Sequence, residues 1–262
     1  MTPEQMVSRL LYRDGLMLVI DKPAGLSVHA GPKNRQQRNE SIEDHFDALR
    51  FGLPRPPALA HRLDRDTSGC LVLGRHRKAL AALGKLFRNG AVGKTYWAVV
   101  EGAPETEEGI IELPLGRLDE TRGWWMKPDP QGKPAVTRWK VLGRTAATSW
   151  LALEPLTGRT HQLRVHCAEK GWPILGDAVY GNAPRHGGPT LHLHAREIVV
   201  PLYKNRPPIR VVAPVPEHLR SALAECGWKG EEVILPRETG EDDRPKDGGG
   251  GISLSRISTR ER

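Results

Sequence analysis

Apolar residues along this chain fall in short runs cut by Gly-, Pro- and Asp-bearing turns, a pattern of strands more than of long helices. Residues 10–12 and 16–20 flank the turn Arg13-Asp14-Gly15 and predict two strands around a tight reversal. Lys22-Pro23-Ala24-Gly25 ends the second strand with turn chemistry, and residues 26–29 are expected to begin another. Further strands are expected at 58–60, 70–73, 94–100, 110–115, 136–142, 149–153 and 191–201. Helical spacing is confined to four places. Ser41 reads as the N-cap of a short helix with Ile42, Phe46 and Leu49 on one face. Residues 78–87 align Leu80, Leu83 and Phe87 before the stop Asn89-Gly90, a third helix is expected between a Thr160 cap and Gly171, and a fourth at 216–226. The segments 31–39, 102–109 and 117–134 read as loops. The last carries Trp124 and Trp125, which suit either base stacking or burial as anchors.

Strands joined by short turns rather than regular crossovers predict an α+β domain, a mixed and largely antiparallel sheet flanked by helices. Beyond Trp228 apolar residues thin out while Gly, Ser and charge rise, so the folded domain is expected over 1–230 and a disordered tail over 231–262.

Composition narrows the class. Hydrophobic residues make up 38% and charged residues 27% of the 262, and no apolar run nears the roughly 20 residues that span a bilayer. The start, Met1-Thr2-Pro3-Glu4-Gln5, lacks a signal-peptide pattern, so a cytoplasmic protein is expected. Cys70, Cys167 and Cys226 are odd in number and far apart, which argues against a disulfide framework. The net charge is +8, yet from Lys229 onward seven Lys/Arg face eight Asp/Glu, which leaves residues 1–228 at +9. A basic folded part suits a polyanionic partner.

The densest chemistry is the polar run His61-Arg62-Leu63-Asp64-Arg65-Asp66-Thr67-Ser68-Gly69, set immediately before an apolar strand that can present it as a rigidly held loop. Asp64-Arg65-Asp66-Thr67 fits the D-x-D-x-T nucleophile motif of haloacid-dehalogenase-like phosphatases, but His61 and Arg62 interrupt the apolar run before Asp64, and no later Asp pair suited to Mg²⁺ follows. His161, His166, His192 and His194 raise a metal site, without a carboxylate or cysteine partner at convincing spacing. Spacing alone leaves open whether Asp64 or Asp66 is reactive.

The run resembles the H-R-L-D-x-x-T-S-G signature of RluA-type pseudouridine synthases, and other motifs follow in that family's order. Asp21-Lys22-Pro23-Ala24-Gly25-Leu26-Ser27-Val28-His29 resembles N-K-P-x-G-x-x-V-H, with Asp in place of the usual Asn, and Lys94-Thr95-Tyr96 resembles K-x-Y. Residues 157–166 resemble T-G-R-x-H-Q-x-R-x-H, and Gly176-Asp177, Tyr180-Gly181 and Leu193-His194-Ala195 also match, so the resemblance covers about residues 10–215. It implies a pseudouridine synthase-like sheet with a central active-site cleft, and isomerisation of uridine to pseudouridine in tRNA or ribosomal RNA. Asp64 is implied as nucleophile, Arg164 as the guanidinium that steadies it, and Tyr96 as the ring that stacks on the target base. Arg62 is implied to fill the space of the flipped base, and His61, Thr67, Arg159 and His161 are expected RNA contacts. Asp66 becomes loop support. No metal or other cofactor is implied; the expected partner is RNA, with no DNA and no membrane, acted on by a monomer. With the first strand starting near residue 10, no N-terminal S4-like domain is expected.

Overall fold

The computed structural model describes residues 1–30, 40–119 and 125–231, and Met1–Gly230 forms one compact unit. The expected loop at 31–39, Trp124 and, apart from Glu231, the expected disordered tail lie outside the described residues. In chain order the elements are α1 (Pro3–Val7), β1 (Leu10–Arg13), β2 (Met17–Lys22), a 3-10 helix (Ile42–Leu49), β3 (Ala58–Leu59), β4 (Ser68–Gly74), α2 (Arg77–Arg88), β5 (Gly93–Glu101) and β6 (Glu108–Glu112). There follow β7 (Leu115–Arg117), β8 (Met126–Pro128), β9 (Val136–Arg144), β10 (Thr148–Pro155), α3 (Gln162–Glu169), β11 (Leu193–Val200), β12 (Ile209–Val212) and α4 (Glu217–Glu225).

Ten strands make one sheet in the order β1-β2-β4-β11-β5-β10-β9-β6, with β12 added to β11 and β3 to β4. The β4–β11 pair is parallel and the other named pairs are antiparallel, so the sheet is mixed and largely antiparallel, as the turn-rich pattern predicts. Its strands alternate between two covered faces. On β2 and β4, Leu18, Ile20, Leu71 and Leu73 meet Phe46 and Leu49 of the 3-10 helix, whereas Met17, Val19, Cys70 and Val72 meet Leu83 of α2. On β5, Ala98 and Val100 pack with Leu163 and Cys167 of α3, while Val99 packs with Leu219 and Leu223 of α4. Full burial of each of these Leu and Val side chains contributes about 1.5–3 kcal/mol. The unbroken burial of β4 explains why its sequence reads as a continuous apolar run rather than an alternating one.

Several local expectations are corrected. Residues 26–29 make only a single bridge, Ser27 to Ser41, because Pro23 and Gly25 turn the chain before a ladder can form. The helix after Ser41 is 3-10, and the 110–115 run divides at Leu113-Pro114 into β6 and β7. Within the expected loop 117–134, β8 folds back on β7 as a separate ribbon. The N-cap of α3 is His161 rather than Thr160.

Candidate active site

The polar run connects β3 to the start of β4, where β4 meets β11. Gly69 has φ +105°, and a Cβ there would stand 2.3 Å from the Ala195 carbonyl oxygen, so only glycine lets the two strands close directly behind the loop. Thr67 N–H donates to the Asp64 carbonyl at 3.2 Å, and the buried Ser68 hydroxyl bonds His194 Nδ1 at 2.9 Å. Lys22 holds the loop from beneath. Fully buried, its Nζ donates to the carbonyls of Pro23 (2.7 Å), Leu26 (2.8 Å) and Arg65 (2.9 Å). Arg65 Nε donates in return to Gly25 O at 3.0 Å, which clasps the turn at 23–26 to the loop at 64–67. Burial pushes the Lys22 ammonium down to about 7, against the pull of Asp66, Asp64 and Asp21. Burial also raises Asp21, the residue standing where the resembled family has Asn, to about 6, with Arg9 Nη1 3.9 Å away as the opposing charge.

Asp64 opens into a cleft of about 670 Å³, and all eight residues singled out from sequence, His61, Arg62, Asp64, Thr67, Tyr96, Arg159, His161 and Arg164, line it. Arg62 Nη2 lies 3.9 Å from one carboxylate oxygen of Asp64 and His161 Nε2 3.9 Å from the other. Arg62 is 65% exposed, so its side chain is open to a ligand. Tyr96, at the third residue of the K-T-Y run on β5, packs against the cores of both sheet halves. Burial, and then the Asp64 carboxylate, push its phenol well above the ordinary value, so it is neutral at pH 7. Arg159 donates Nε to Pro134 O at 2.9 Å. Thr67 is buried, and its backbone closes the turn.

Two residues are engaged otherwise than the motifs alone suggest. Arg164 makes a two-pronged ion pair, but with Asp177: Nε to Oδ2 and Nη2 to Oδ1 are both 2.7 Å, with the two side chains 7% and 1% exposed. Asp177 Oδ1 also accepts the N–H groups of Val179 and Tyr180 at 2.9 and 3.0 Å. Burial alone would raise Asp177, but these bonds outweigh it and hold the carboxyl below its ordinary value. Arg164 therefore reaches Asp64 as a nearby positive charge rather than as a direct partner. The His61 ring stacks on Phe87 at 4.4 Å, and its Nε2 accepts the Val72 N–H at 3.0 Å, which pins the loop to β4.

His161 carries the one strained backbone of the cleft wall. Its φ of +52° is in the left-handed region, which costs a non-glycine residue about 1–2 kcal/mol. Gln162 holds it there, accepting from Thr157 Oγ1 and Arg159 N–H while donating to Val136 O and Thr137 Oγ1. His161 Nδ1 meets the Tyr180 hydroxyl at 2.8 Å, and that oxygen accepts the Met126 N–H at 2.9 Å. Donation by the phenol to Nδ1 is the arrangement that places the imidazole proton on Nε2, facing Asp64. Lys22, Asp177 and Tyr180 lie in motifs the sequence displays, but their partners are distant in the chain, so nothing local marks their roles.

Trp125 sits under Arg185 at 5.3 Å. Of the histidine pair considered for metal, His192 bonds the Thr190 carbonyl and His194 bonds Ser68. Among the described residues no group of three His, Cys, Asp or Glu side chains is placed to hold a metal, and no helix is long and apolar enough to cross a membrane.

Buried neutral histidines have a measurable consequence. Burial lowers His61 to about 3 and also lowers His161, His166, His192 and His218. Below about pH 6.5 the unfolded chain takes up protons that these native rings refuse, so stability present above that pH is lost as the pH falls. Asp21 acts oppositely between about 6 and the ordinary carboxylate range, but it is one group against five. The thermal midpoint is therefore expected to be lower at pH 5 than at pH 7 by calorimetry; an equal or higher midpoint at pH 5 contradicts this.

The comparisons with known proteins agree on the class: residues 16–169 match the family model described as RNA pseudouridylate synthase. An uncharacterised RNA pseudouridine synthase of Zymomonas mobilis is 42% identical over 214 residues, 81% of this chain and 95% of that protein. Ribosomal large subunit pseudouridine synthase C of Haemophilus ducreyi is 34% identical over 228 residues, 84% of this chain and 70% of the relative. Among solved structures, human RNA pseudouridylate synthase domain containing 4 aligns with TM-score 0.70 and 27% identity, over 86% of this chain and 95% of the other. The chain belongs to the RNA pseudouridine synthase family, on its RluA-type branch. It is thus an isomerase of the RNA-modifying kind.

Proposed function

We propose that this protein acts in the cytoplasm as a monomer, isomerising particular uridines of ribosomal RNA or tRNA flipped out of their stack into the cleft. The observation that carries this reading is the convergence of Asp64, Tyr96 and the Arg164 charge on one basic cavity. The reaction breaks the N1–C1′ glycosidic bond, joins C5 to C1′ and releases the C5 proton. It calls for a carboxylate that attacks the ribose or the base or assists loss of the base, and a closed place for the detached base to turn. Asp64 supplies the carboxylate, steadied by Arg62 and His161. Tyr96, neutral at pH 7, supplies a flat apolar face for the base. Arg62 enters the space that the flipped uridine leaves, and Arg159, with the Thr67 turn, borders the incoming strand. His61 serves the same end indirectly by fixing the loop through Phe87 and Val72. A relative named for the large ribosomal subunit supports ribosomal RNA as one target.

The test is release of tritium by the purified protein, in EDTA, from 5-tritiated uridine in RNA of cells lacking it. Release with matching pseudouridine formation is expected; its absence removes the reading.

The relay from Met126 through Tyr180 to His161 gives a second measurement. Tyr180→Phe keeps the ring that lies 5.2 Å from Arg164 but deletes the bond to His161. A lost hydrogen bond of about 0.5–1.5 kcal/mol predicts a two- to tenfold fall in kcat with KM little changed. An unchanged kcat contradicts the relay.

A further inference from the structure

Helix α2 carries Arg77, Lys78, Lys85 and Arg88, all exposed, and no Asp or Glu. At about 100° per residue the four fall within an arc of about 100°, opposite the Ala79 and Leu83 face buried against the sheet. Among the described residues none of the four makes an ion pair or a hydrogen bond to a side chain. Some exposed arginines elsewhere are neutralised, Arg50 by Asp47, Arg138 by Glu154, Arg144 by Glu107 and Arg220 by Glu217, while Arg13, Arg55, Arg117, Arg185 and Arg206 stand singly. On α2 four unpaired cations gather on one face of one helix. Arg77 and Lys78 moreover occupy the first turn, where the helix dipole disfavours each cation by about 0.3–1 kcal/mol. A helix serving stability alone gains from acids there; Lys85 and Arg88, in the last turn, are favoured by the same dipole, so it is the first-turn pair that folding does not account for.

The stripe also leads somewhere. From Arg77 to Arg88 it rises about 16 Å along the helix and ends at Arg88-Asn89-Gly90, which form part of the cleft wall together with Lys94. A polyanion seated in the cleft continues onto it without crossing an acidic side chain of α2.

We propose that the RNA backbone flanking the target uridine runs along α2, its phosphates neutralised by Arg77, Lys78 and Lys85. The proposal rests on the functional reading above and extends it: the enzyme grips several nucleotides on one side of the target, through contacts blind to sequence. Such contacts fix the register of the strand while the cleft reads the base.

The test is the triple variant Arg77→Ala, Lys78→Ala, Lys85→Ala, which leaves the cleft wall intact and places the best helix former at each exposed position. The measured quantity is kcat/KM for tritium release from the same labelled cellular RNA, between about 50 and 200 mM KCl. Three lost phosphate contacts flatten the log–log salt slope by about 2, so wild type loses about twentyfold more than the variant over that range. A control triple, Arg138→Ala, Arg144→Ala, Arg220→Ala, removes equal charge from paired positions and is expected to keep the wild-type slope. A wild-type slope in the α2 variant, or equal flattening in the control, overturns the proposal. Failure of wild type to release any tritium is a different result, since it overturns the functional reading on which the stripe depends.

Discussion

Asp64→Asn is expected to abolish tritium release from 5-tritiated uridine in RNA, a loss of about a thousandfold or more, while fold and RNA binding persist. The amide keeps the shape of the carboxylate but is neither nucleophile nor counter-charge. Its stability cost is small, because the contacts to Arg62 and His161 are 3.9 Å long and Arg62 is largely in water, where such pairs are worth less than about 1 kcal/mol. Affinity for RNA holds or rises slightly, since a negative charge leaves a basic cleft that receives a polyanion. Asp66→Asn is the matched control. Asp66 bears on Lys22 beneath the loop and does not line the cleft holding Asp64, so its substitution is expected to spare chemistry. If Asp66→Asn abolished release and Asp64→Asn spared it, the two carboxylates would exchange roles.

Asp177→Ala is expected to lower stability by about 3–5 kcal/mol, the cost of leaving a buried guanidinium without its partner. Arg164 is only 6% exposed and spends both its Nε and Nη2 on Asp177. The same substitution frees the Val179 and Tyr180 N–H groups, which opens the turn holding Tyr180 against His161. The urea midpoint is expected to fall without a change in the slope of unfolding. A loss below about 1 kcal/mol contradicts the assignment of Asp177 as anchor of Arg164. Replacing the pair by well-packed apolar residues is a different experiment and is expected to cost far less stability, because no charge is then left buried alone.

Much of the sheet was legible because burial writes itself into composition. Both β2 and β4 are covered on two faces and appear as unbroken apolar runs, and α2 shows its core face at Leu83 and its stop at Asn89-Gly90. Short or compensated elements were not legible. The ribbon of β7 and β8 pairs three residues with three, too few for a periodic signal, and the left-handed backbone of His161 is imposed by Gln162 rather than by the histidine itself. The site divides in the same way. Motif matching picked out eight residues that now share one cleft, because their order in the chain carries the information. The engagement of Arg164 by Asp177, the grip of Lys22 on Arg65 O and the Tyr180–His161 bond depend on separations of 13, 43 and 19 residues bridged only in three dimensions. Charge patterning on α2 was visible in the string, but its meaning waited on the finding that those cations are unpaired and that their stripe ends at the cleft wall at Arg88.

The central claim is that Asp64 drives isomerisation of specific uridines in cellular RNA. It is tested most directly by mapping pseudouridine across tRNA and ribosomal RNA in cells lacking the protein, complemented with either wild type or Asp64→Asn. The account predicts one or a few positions that lose pseudouridine in the deletion and regain it with wild type alone. An unchanged map in the deletion, or restoration by Asp64→Asn, would contradict it.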